Sequence, residues 1–299
     1  MSIGWLALVT ATLTVATPLV LAALGEVVTE KAGVLNLGIE GTMYAGAFVG
    51  FLASGWTGSA WGGIGFAVVA GAAAGALMGL LTVTLGVNQH VAGIGTTLLL
   101  VAACDFTNRL RYAGGSLTQV DKLERWFGAA PVVGQYAPTY VAFLLVAPAL
   151  WWLLRSTGAG LRLRAVGENP EAADVAGVSV ARTRYAALVA GGALMAVGGA
   201  FLTVAMLGTF TLDIVAGRGW VCIALVIFGR WRVWPTVGGA LLFAVADSLQ
   251  LQLAISPAFS SVPRELLIAL PYLVVVGALA VWGRRVRYPG AYLTPYRRA

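Results

Sequence analysis

Glu40, Asp105 and Asp247 are the ionisable side chains that stand in the apolar parts of this sequence. An ionisable group inside an apolar span is costly to keep there, so each of these carboxylates is a functional candidate that could carry a coupling ion or a proton. For Asp247, a packing role with a hydrogen bond to a neighbouring helix explains the residue equally well. No two carboxylates are expected at helical spacing within one span, which argues against a catalytic carboxylate pair.

Other catalytic chemistry lacks the residues it needs. Lys31 and Lys122 are the two lysines and neither follows a glycine, so a phosphate-binding G-x-x-x-x-G-K-[ST] loop is excluded. The single histidine, His90, leaves no H-E-x-x-H pair, and no C-x-x-C or G-x-S-x-G motif occurs. The sequence therefore predicts a chain that is not an enzyme and holds no metal or cofactor of its own.

Composition indicates a membrane protein. Hydrophobic residues make up 59% of the chain and charged residues 10%, against about 25% charge in soluble domains. No charged residue lies between Glu40 and Asp105, a run long enough for three crossings at about 20 residues each. The net charge of +7 comes from arginines in short loops, without the basic, aromatic face that nucleic-acid binding requires.

The pattern predicts an all-α polytopic protein with a single domain over 1–299 and about nine transmembrane helices. The predicted spans are 5–25, 38–56, 62–87, 91–108, 138–155, 186–207, 213–229, 235–255 and 266–283. With nine crossings, thirteen Lys and Arg residues fall on one face and six on the other. Because positive residues favour the cytoplasmic side, we expect the N-terminus outside and the C-terminus inside.

Two stretches combine polar residues and glycine at membrane depth. The segment 30–41 is too apolar for a solvated loop, which favours a broken helix lining a cavity; an inner turn with Asn36 capping the next helix is the alternative. Asn88 and Gln89 precede the fourth span, where they could line a pathway or cap helix ends. Gly71, Gly75 and Gly79 recur every four residues and predict close helix packing.

Three segments outside the spans differ in character. The outer loop 109–137 is amphipathic, and the sequence leaves open whether it lies at the lipid headgroups or docks an external partner. The basic tail 284–299 is expected to anchor on the inner membrane surface. The inner loop 156–185 contains a short helix at about 169–176, with Asn169 as N-cap, Pro170 at the first position and Gly177 as the stop. Because so short a helix is unstable alone, its apolar residues should dock on a cytoplasmic partner; those residues are Ala172, Ala173, Val175 and Ala176.

Four motifs in order along the chain carry a family resemblance. They are Lys31-Ala-Gly-Val-Leu-Asn-Leu-Gly-Ile-Glu-Gly41, Asn88-Gln89 with Gly93-Ile-Gly-Thr96, Gly167-Glu-Asn-Pro-Glu-Ala-Ala-Asp-Val-Ala-Gly177, and Ala216-Gly-Arg-Gly-Trp220 with Ile227-Phe-Gly-Arg230. The chain resembles, over nearly its whole length, the membrane permease of ATP-binding-cassette importers for branched-chain amino acids, simple sugars and nucleosides. That resemblance implies a type II importer permease fold in the bacterial cytoplasmic membrane.

The resemblance also implies roles for individual residues. The inner helix would be the coupling helix that fits a groove of a cytoplasmic ATPase subunit, which binds ATP and Mg²⁺. Its coupling residues would be Gly167, Glu168, Asn169, Pro170, Glu171, Ala172, Ala173, Asp174 and Gly177, with Arg162, Arg164, Arg182 and Arg184 as rim contacts. The substrate pathway would pass Asn36, Glu40, Asn88, Gln89, Thr96 and Asp247. Further partners would be a second permease subunit (a homologue or a second copy), an extracytoplasmic solute-binding protein and membrane lipid.

Within that group, Gly-Val-Leu-Asn-Leu-Gly-Ile-Glu-Gly is most similar to nucleoside-uptake permeases. Phe51, Phe201, Phe210 and Phe243 are among the aromatics that could stack on a nucleoside. A simple-sugar or branched-chain amino acid permease is the alternative inside the family. An ion-coupled secondary transporter, using Glu40, Asp105 or Asp247, is the alternative outside it.

Overall fold

The computed structural model describes residues 4–112, 119–128, 130–256, 259, 262–282, 288–294 and 296. Within these ranges the chain is helical, and its only β-structure is an isolated bridge between Arg125 and Tyr136. The helices are α1 Trp5–Lys31, α2 Ile39–Thr57, α3 Ala60–Thr84, α4 Gln89–Tyr112, α5 Ala137–Ser156, α6 Gly158–Glu168, α7 Pro170–Val175, α8 Val180–Leu207, α9 Arg218–Phe228, α10 Val233–Ala254 and α11 Arg264–Trp282. The predicted basic tail 284–299 lies outside the described residues except for 288–294 and 296, as do 113–118 and 129 of the outer loop.

Seven helices of the described chain are long and apolar enough to cross a membrane, namely α1, α3, α4, α5, α8, α10 and α11. The other two predicted spans, 38–56 and 213–229, correspond to α2 and α9. With 11 residues at 1.5 Å each, α9 is about 16 Å long, roughly half of a hydrocarbon core of about 30 Å. Nine crossings and the placement of the termini therefore stay predictions.

Helices α1 and α8 lie at the centre of the molecule and are the most buried of the seven. Close approach to α8 depends on small residues: a Cβ at Gly71 would lie 2.2 Å from the carbonyl oxygen of Gly192, and one at Gly75 2.1 Å from that of Leu188. The predicted close packing is thus confirmed for these two glycines. Gly79 differs, because a Cβ there would meet the ring of Tyr185, 2.7 Å away.

Helix α1 continues six residues beyond the predicted end of the first span and includes Glu26 and Glu30. Both carboxylates are fully buried, four residues apart on the same helix. The expectation that no two carboxylates share a span at helical spacing is therefore wrong. It fails because Glu26, Thr29 and Glu30 were assigned to a connecting segment, whereas their polar atoms are bound inside the protein.

Residues 32–38 form an irregular segment between α1 and α2, which we call the junction. All of it is buried except the half-buried Leu37, and Gly33 adopts a left-handed φ of +83°. The predicted interruption within 30–41 is thus present, and protein surrounds it, as backbone at membrane depth requires. Asn36 makes a tight turn here, its Oδ1 accepting a hydrogen bond from the Gly38 N–H at 3.0 Å.

The stretch 208–217, predicted as part of an outer turn, runs back along α2. The ring of Phe210 lies 5.0 Å from that of Phe48 and 5.3 Å from that of Tyr44. Its end reaches the first turn of α2, where Gly217 and Gly219 bind Glu40. Arg218, assigned from sequence to the outer face, therefore stands beside the beginning of α2. This re-entrant path explains why α9 is short.

Candidate functional site

The chain between α5 and α8 is more ordered than the predicted loop 156–185 with one short helix. Helix α6 fills its first half and is capped by Thr157, whose Oγ1 accepts a hydrogen bond from the Gly160 N–H at 3.1 Å. Helix α7 follows after the single residue Asn169. We call 157–179, with both helices, the inner connector.

The predicted caps of α7 are confirmed. Asn169 Oδ1 accepts from the Ala172 N–H at 3.0 Å, Pro170 occupies the first helical position, and Gly177 leaves the helix with φ +83°. These features satisfy the free N–H groups of the first turn and allow the chain to reverse after the last. The helix, 170–175, lies within the predicted 169–176.

Part of the apolar face of α7 packs on its own chain. Ala173 is buried with Val166 and Val180, and the Tyr296 hydroxyl donates a hydrogen bond to Asp174 Oδ2 at 3.1 Å. The expectation that Ala173 docks on a partner together with Ala172, Val175 and Ala176 is therefore wrong, because Ala173 anchors the helix to the permease itself.

The opposite side of α7 is open. Val175 is 92% exposed, an unusual degree for an aliphatic side chain on a helix held in place from behind. The other exposed residues of this patch, which we call the docking surface, are Glu168, Asn169, Glu171, Ala172, Ala176 and Gly177. Such a surface, rigid and partly apolar, is suited to a groove on another protein.

Gly167 lies behind this surface and joins the connector to the end of α1. A Cβ at Gly167 would stand 2.0 Å from the carbonyl oxygen of Lys31. Its own carbonyl accepts a hydrogen bond from the Ala291 N–H at 2.9 Å, and Glu168 Oε2 accepts from the Gly290 N–H at 3.3 Å. The connector, the end of α1 and residues 288–296 therefore share one end of the molecule.

Arg184 is not a rim contact of the docking surface. Its side chain is buried, with Nε donating to the Ala32 carbonyl at 3.2 Å and Nη1 to that of Thr294 at 3.4 Å. It therefore stabilises the first turn after α1 from inside. The other three predicted rim arginines, Arg162, Arg164 and Arg182, are exposed.

Two predicted pathway residues, Asn36 and Gln89, converge on the junction. Gln89 Oε1 accepts from the Leu35 N–H at 2.8 Å, and its Nε2 donates to the Gly33 carbonyl at 3.3 Å. The backbone N–H of Asn36 donates to Glu26 Oε1 at 2.9 Å. Glu26 is a contact that sequence reasoning missed; its position four residues before Glu30, in an apolar context, is the signal that could have identified it.

The remaining pathway residues lie elsewhere. Glu40 binds the beginning of α9, its two oxygens accepting from the Gly217 N–H at 2.8 Å and the Gly219 N–H at 2.7 Å, where the helix dipole favours a negative charge. Asp247, half-buried on α10, has Arg218 of α9 as its charged neighbour. Asn88 is exposed and caps α4 through the His90 N–H at 2.9 Å, and buried Thr96 donates to the Ala92 carbonyl of its own helix at 2.8 Å.

Two of the four phenylalanines considered for stacking belong to one cluster. Phe51 and Phe210 have ring centroids 6.2 Å apart and share their neighbourhood with Phe48 and Tyr44. The Tyr44 hydroxyl donates a hydrogen bond to Asp105. Phe201 and Phe243 contact different partners, Tyr136 and Tyr272.

Comparison with known proteins identifies the family. The family model described as "Branched-chain amino acid transport system / permease component" matches residues 8–279. The guanosine ABC transporter permease protein NupQ of Bacillus subtilis is 33% identical over 308 aligned positions, covering 97% of this chain and 96% of that protein. The nucleoside ABC transporter permease protein NupC of Lactococcus lactis is 32% identical, with 89% of each chain covered.

A third relative has a different printed substrate. The putative glucose ABC transporter permease protein TsgC13 of Haloferax volcanii is 38% identical over 255 residues, covering 82% of this chain and 77% of that protein. No solved structure matches the chain. Together with the apolar helices, these similarities confirm the resemblance drawn from the four motifs. The chain belongs to the branched-chain amino acid transport system / permease component family and is a multi-pass membrane permease of the ATP-binding-cassette class.

Proposed function

We propose that this chain is the membrane subunit of an ATP-driven importer of nucleosides in the bacterial cytoplasmic membrane. Two relatives that cover most of the chain carry nucleoside or guanosine in their names. An extracytoplasmic binding protein would deliver the solute to the end of the molecule that carries 119–137. A second permease subunit would complete the pathway.

The docking surface is the observation that carries the ATP-driven mechanism. Helix α7 is held by Ala173 and Asp174 from behind and presents Val175 outward. A cytoplasmic ATPase subunit that grips this surface would transmit its motion through Gly167 to the end of α1, because the two backbones are in contact there. Glu168 and Pro170 border the same surface. ATP and Mg²⁺ would bind to that ATPase subunit.

The proposed pathway follows the polar groups on either side of the start of α2. The junction lies on one side, and Glu40 with the re-entrant stretch 208–217 on the other. The Phe51 and Phe210 rings lie farther along α2 and offer flat surfaces for a nucleobase. Rocking of α1 against α2 would open these groups to one side of the membrane at a time.

Substitution of Val175 tests the ATPase contact. We expect Val175→Asp to abolish co-purification of the ATPase subunit and ATP-dependent uptake, because it places a charge in an apolar contact. Val133→Asp is the matched control: Val133 is also exposed (52%), and it lies at the other end of α1, where the neighbouring Val132 N–H binds Thr10 Oγ1. Equal loss in both variants, or in neither, would contradict the proposal.

The cargo is tested with the assembled transporter in proteoliposomes. Uptake of radiolabelled guanosine or adenosine should require ATP in the lumen that faces the ATPase and should persist without an ion gradient. A simple sugar is the second candidate, favoured by the 38% identity to the glucose permease relative; glucose and leucine are therefore assayed in parallel. Uptake driven by a sodium or proton gradient without ATPase would instead identify an ion-coupled secondary transporter.

A further inference from the structure

A basic cleft of about 540 Å³ lies beside the end of α1 that contacts the inner connector. Four cationic side chains from four different elements line it: Lys31 of α1, Arg155 of α5, Arg164 of α6 and Arg232 just before α10. Within the described residues, no carboxylate lines the cleft. We call it the basic cleft.

Electrostatics make such an arrangement unfavourable in isolation. Like charges that converge on one concave surface repel each other and raise the local concentration of anions. The acidic group that acts most strongly on Lys31 is Glu168; its carboxylate does not line the cleft and is engaged by the Gly290 N–H at 3.3 Å. The positive potential inside the cleft is therefore available to a ligand.

The apolar walls place the cleft at the level of lipid headgroups. Trp151 and Trp234 line it and are exposed, and the Arg155 guanidinium lies 5.5 Å from the Trp151 ring centroid. Both tryptophans stand near the ends of helices long and apolar enough to span the membrane, α5 and α10. Tryptophan concentrates at this depth of a bilayer because its ring is apolar and its N–H polar.

We propose that the basic cleft binds the phosphate headgroup of an anionic phospholipid of the leaflet on the docking-surface side. Arg155 and Arg232 contact the phosphate from the two helix ends, and Lys31 and Arg164 close the site from the protein side. The acyl chains then lie against the exposed surfaces of α5 and α10. Basic pockets between membrane helices bind anionic headgroups on this physical basis. The lipid neutralises charge next to the Gly167 contact between connector and α1.

The test uses the full-length chain, delipidated in detergent, with bound lipid counted by native mass spectrometry as phosphatidylglycerol or phosphatidylcholine is added. We expect phosphatidylglycerol to bind selectively. At about 1 kcal/mol per basic residue near anionic lipid, Arg155→Gln with Arg232→Gln should weaken its binding roughly 30-fold. The matched control is Arg162→Gln with Arg182→Gln, two exposed arginines of the same end that do not line the cleft; binding there should be unchanged.

Several results would overturn the proposal. They are equal binding of the two lipids, undiminished binding in the Arg155/Arg232 variant, an equal loss in the Arg162/Arg182 control, or displacement of the lipid by millimolar inorganic phosphate, which would identify a soluble anion as the ligand. Should the double glutamine variant fail to fold, Arg164→Gln alone, expected to weaken binding about fivefold, and Arg155→Lys with Arg232→Lys, expected to retain it, decide the matter.

Discussion

The junction and the docking surface are both short, polar interruptions between apolar helices, yet their polar groups are used in opposite ways. At the junction, Asn36, Gln89 and Glu26 are buried and bind backbone atoms of the segment or its turn. At the docking surface, Glu171 and Val175 are exposed. A polar side chain that completes a buried backbone hydrogen bond stabilises the fold, whereas an exposed one is available to a partner.

This difference gives a simple expectation for substitutions. Changes at the junction should lower the free energy of unfolding. Changes at the docking surface should leave that free energy nearly intact and reduce coupling to the ATPase. Gly167 lies where the two regions meet, because its Cα faces the Lys31 carbonyl while its neighbour Glu168 belongs to the docking surface.

Gly167→Ala should have the largest effect and would place Gly167 with the junction. The added methyl would stand 2.0 Å from the Lys31 carbonyl oxygen, and a backbone atom cannot move away cheaply, so we expect a loss of about 3 kcal/mol in the free energy of unfolding. Thermal unfolding in detergent measures it. Gly158→Ala, in the same helix with open space around the Cβ position, is the control; equal midpoints for the two variants would refute this placement.

Gln89→Leu should come next, since it removes both hydrogen bonds that hold the junction to α4. The Leu35 N–H and the Gly33 carbonyl would lose their partner in a buried place, at a cost of about 2 kcal/mol. The same thermal unfolding measures the loss. His90→Gln, at the exposed neighbouring position, should be neutral. A Gln89→Leu protein as stable as the wild type would show that the amide is free for solute rather than committed to the backbone.

Asn169→Ala should act on α7 alone. Losing the cap to the Ala172 N–H costs about 1 kcal/mol, which corresponds to about fivefold faster amide exchange of the α7 backbone. The global unfolding midpoint should stay the same, because α7 is short and lies at the edge of the fold. Asn169→Ser, another good cap, should restore protection. A lowered midpoint would mean that α7 is part of the core.

The part of these two regions that could be predicted from the sequence is the local part. The caps of α7 lie within a few residues of one another, so Asn169, Pro170 and Gly177 identify the helix without knowledge of the fold. The junction was found as glycine and polar residues in an apolar setting. Neither inference needs a contact between distant parts of the chain.

What could not be predicted depends on distant contacts. Gln89 and its acceptor partner Leu35 are 54 residues apart, Arg184 and Ala32 are 152 apart, and Glu40 and Gly217 are 177 apart. A single sequence does not reveal which buried carbonyl an arginine will meet, so Arg184 was assigned to the surface. The re-entrant stretch 208–217 was missed for the same reason, because its polarity fits an outer turn equally well.

Glu171→Gln should have the smallest effect and gives the sharpest contrast with the junction. Glu171 is exposed in the first turn of α7, where a negative charge interacts with the helix dipole by about 0.3 kcal/mol at low salt. Amide exchange of α7 should therefore rise less than twofold at low ionic strength and not at all in 1 M salt, where the Debye length is about 3 Å. The unfolding midpoint should not move at either salt concentration. If removing this one charge lowers ATP-dependent uptake while α7 keeps its protection, the carboxylate acts on the partner and the docking surface is functional; if it lowers the midpoint as Gln89→Leu does, the two regions are not different in kind.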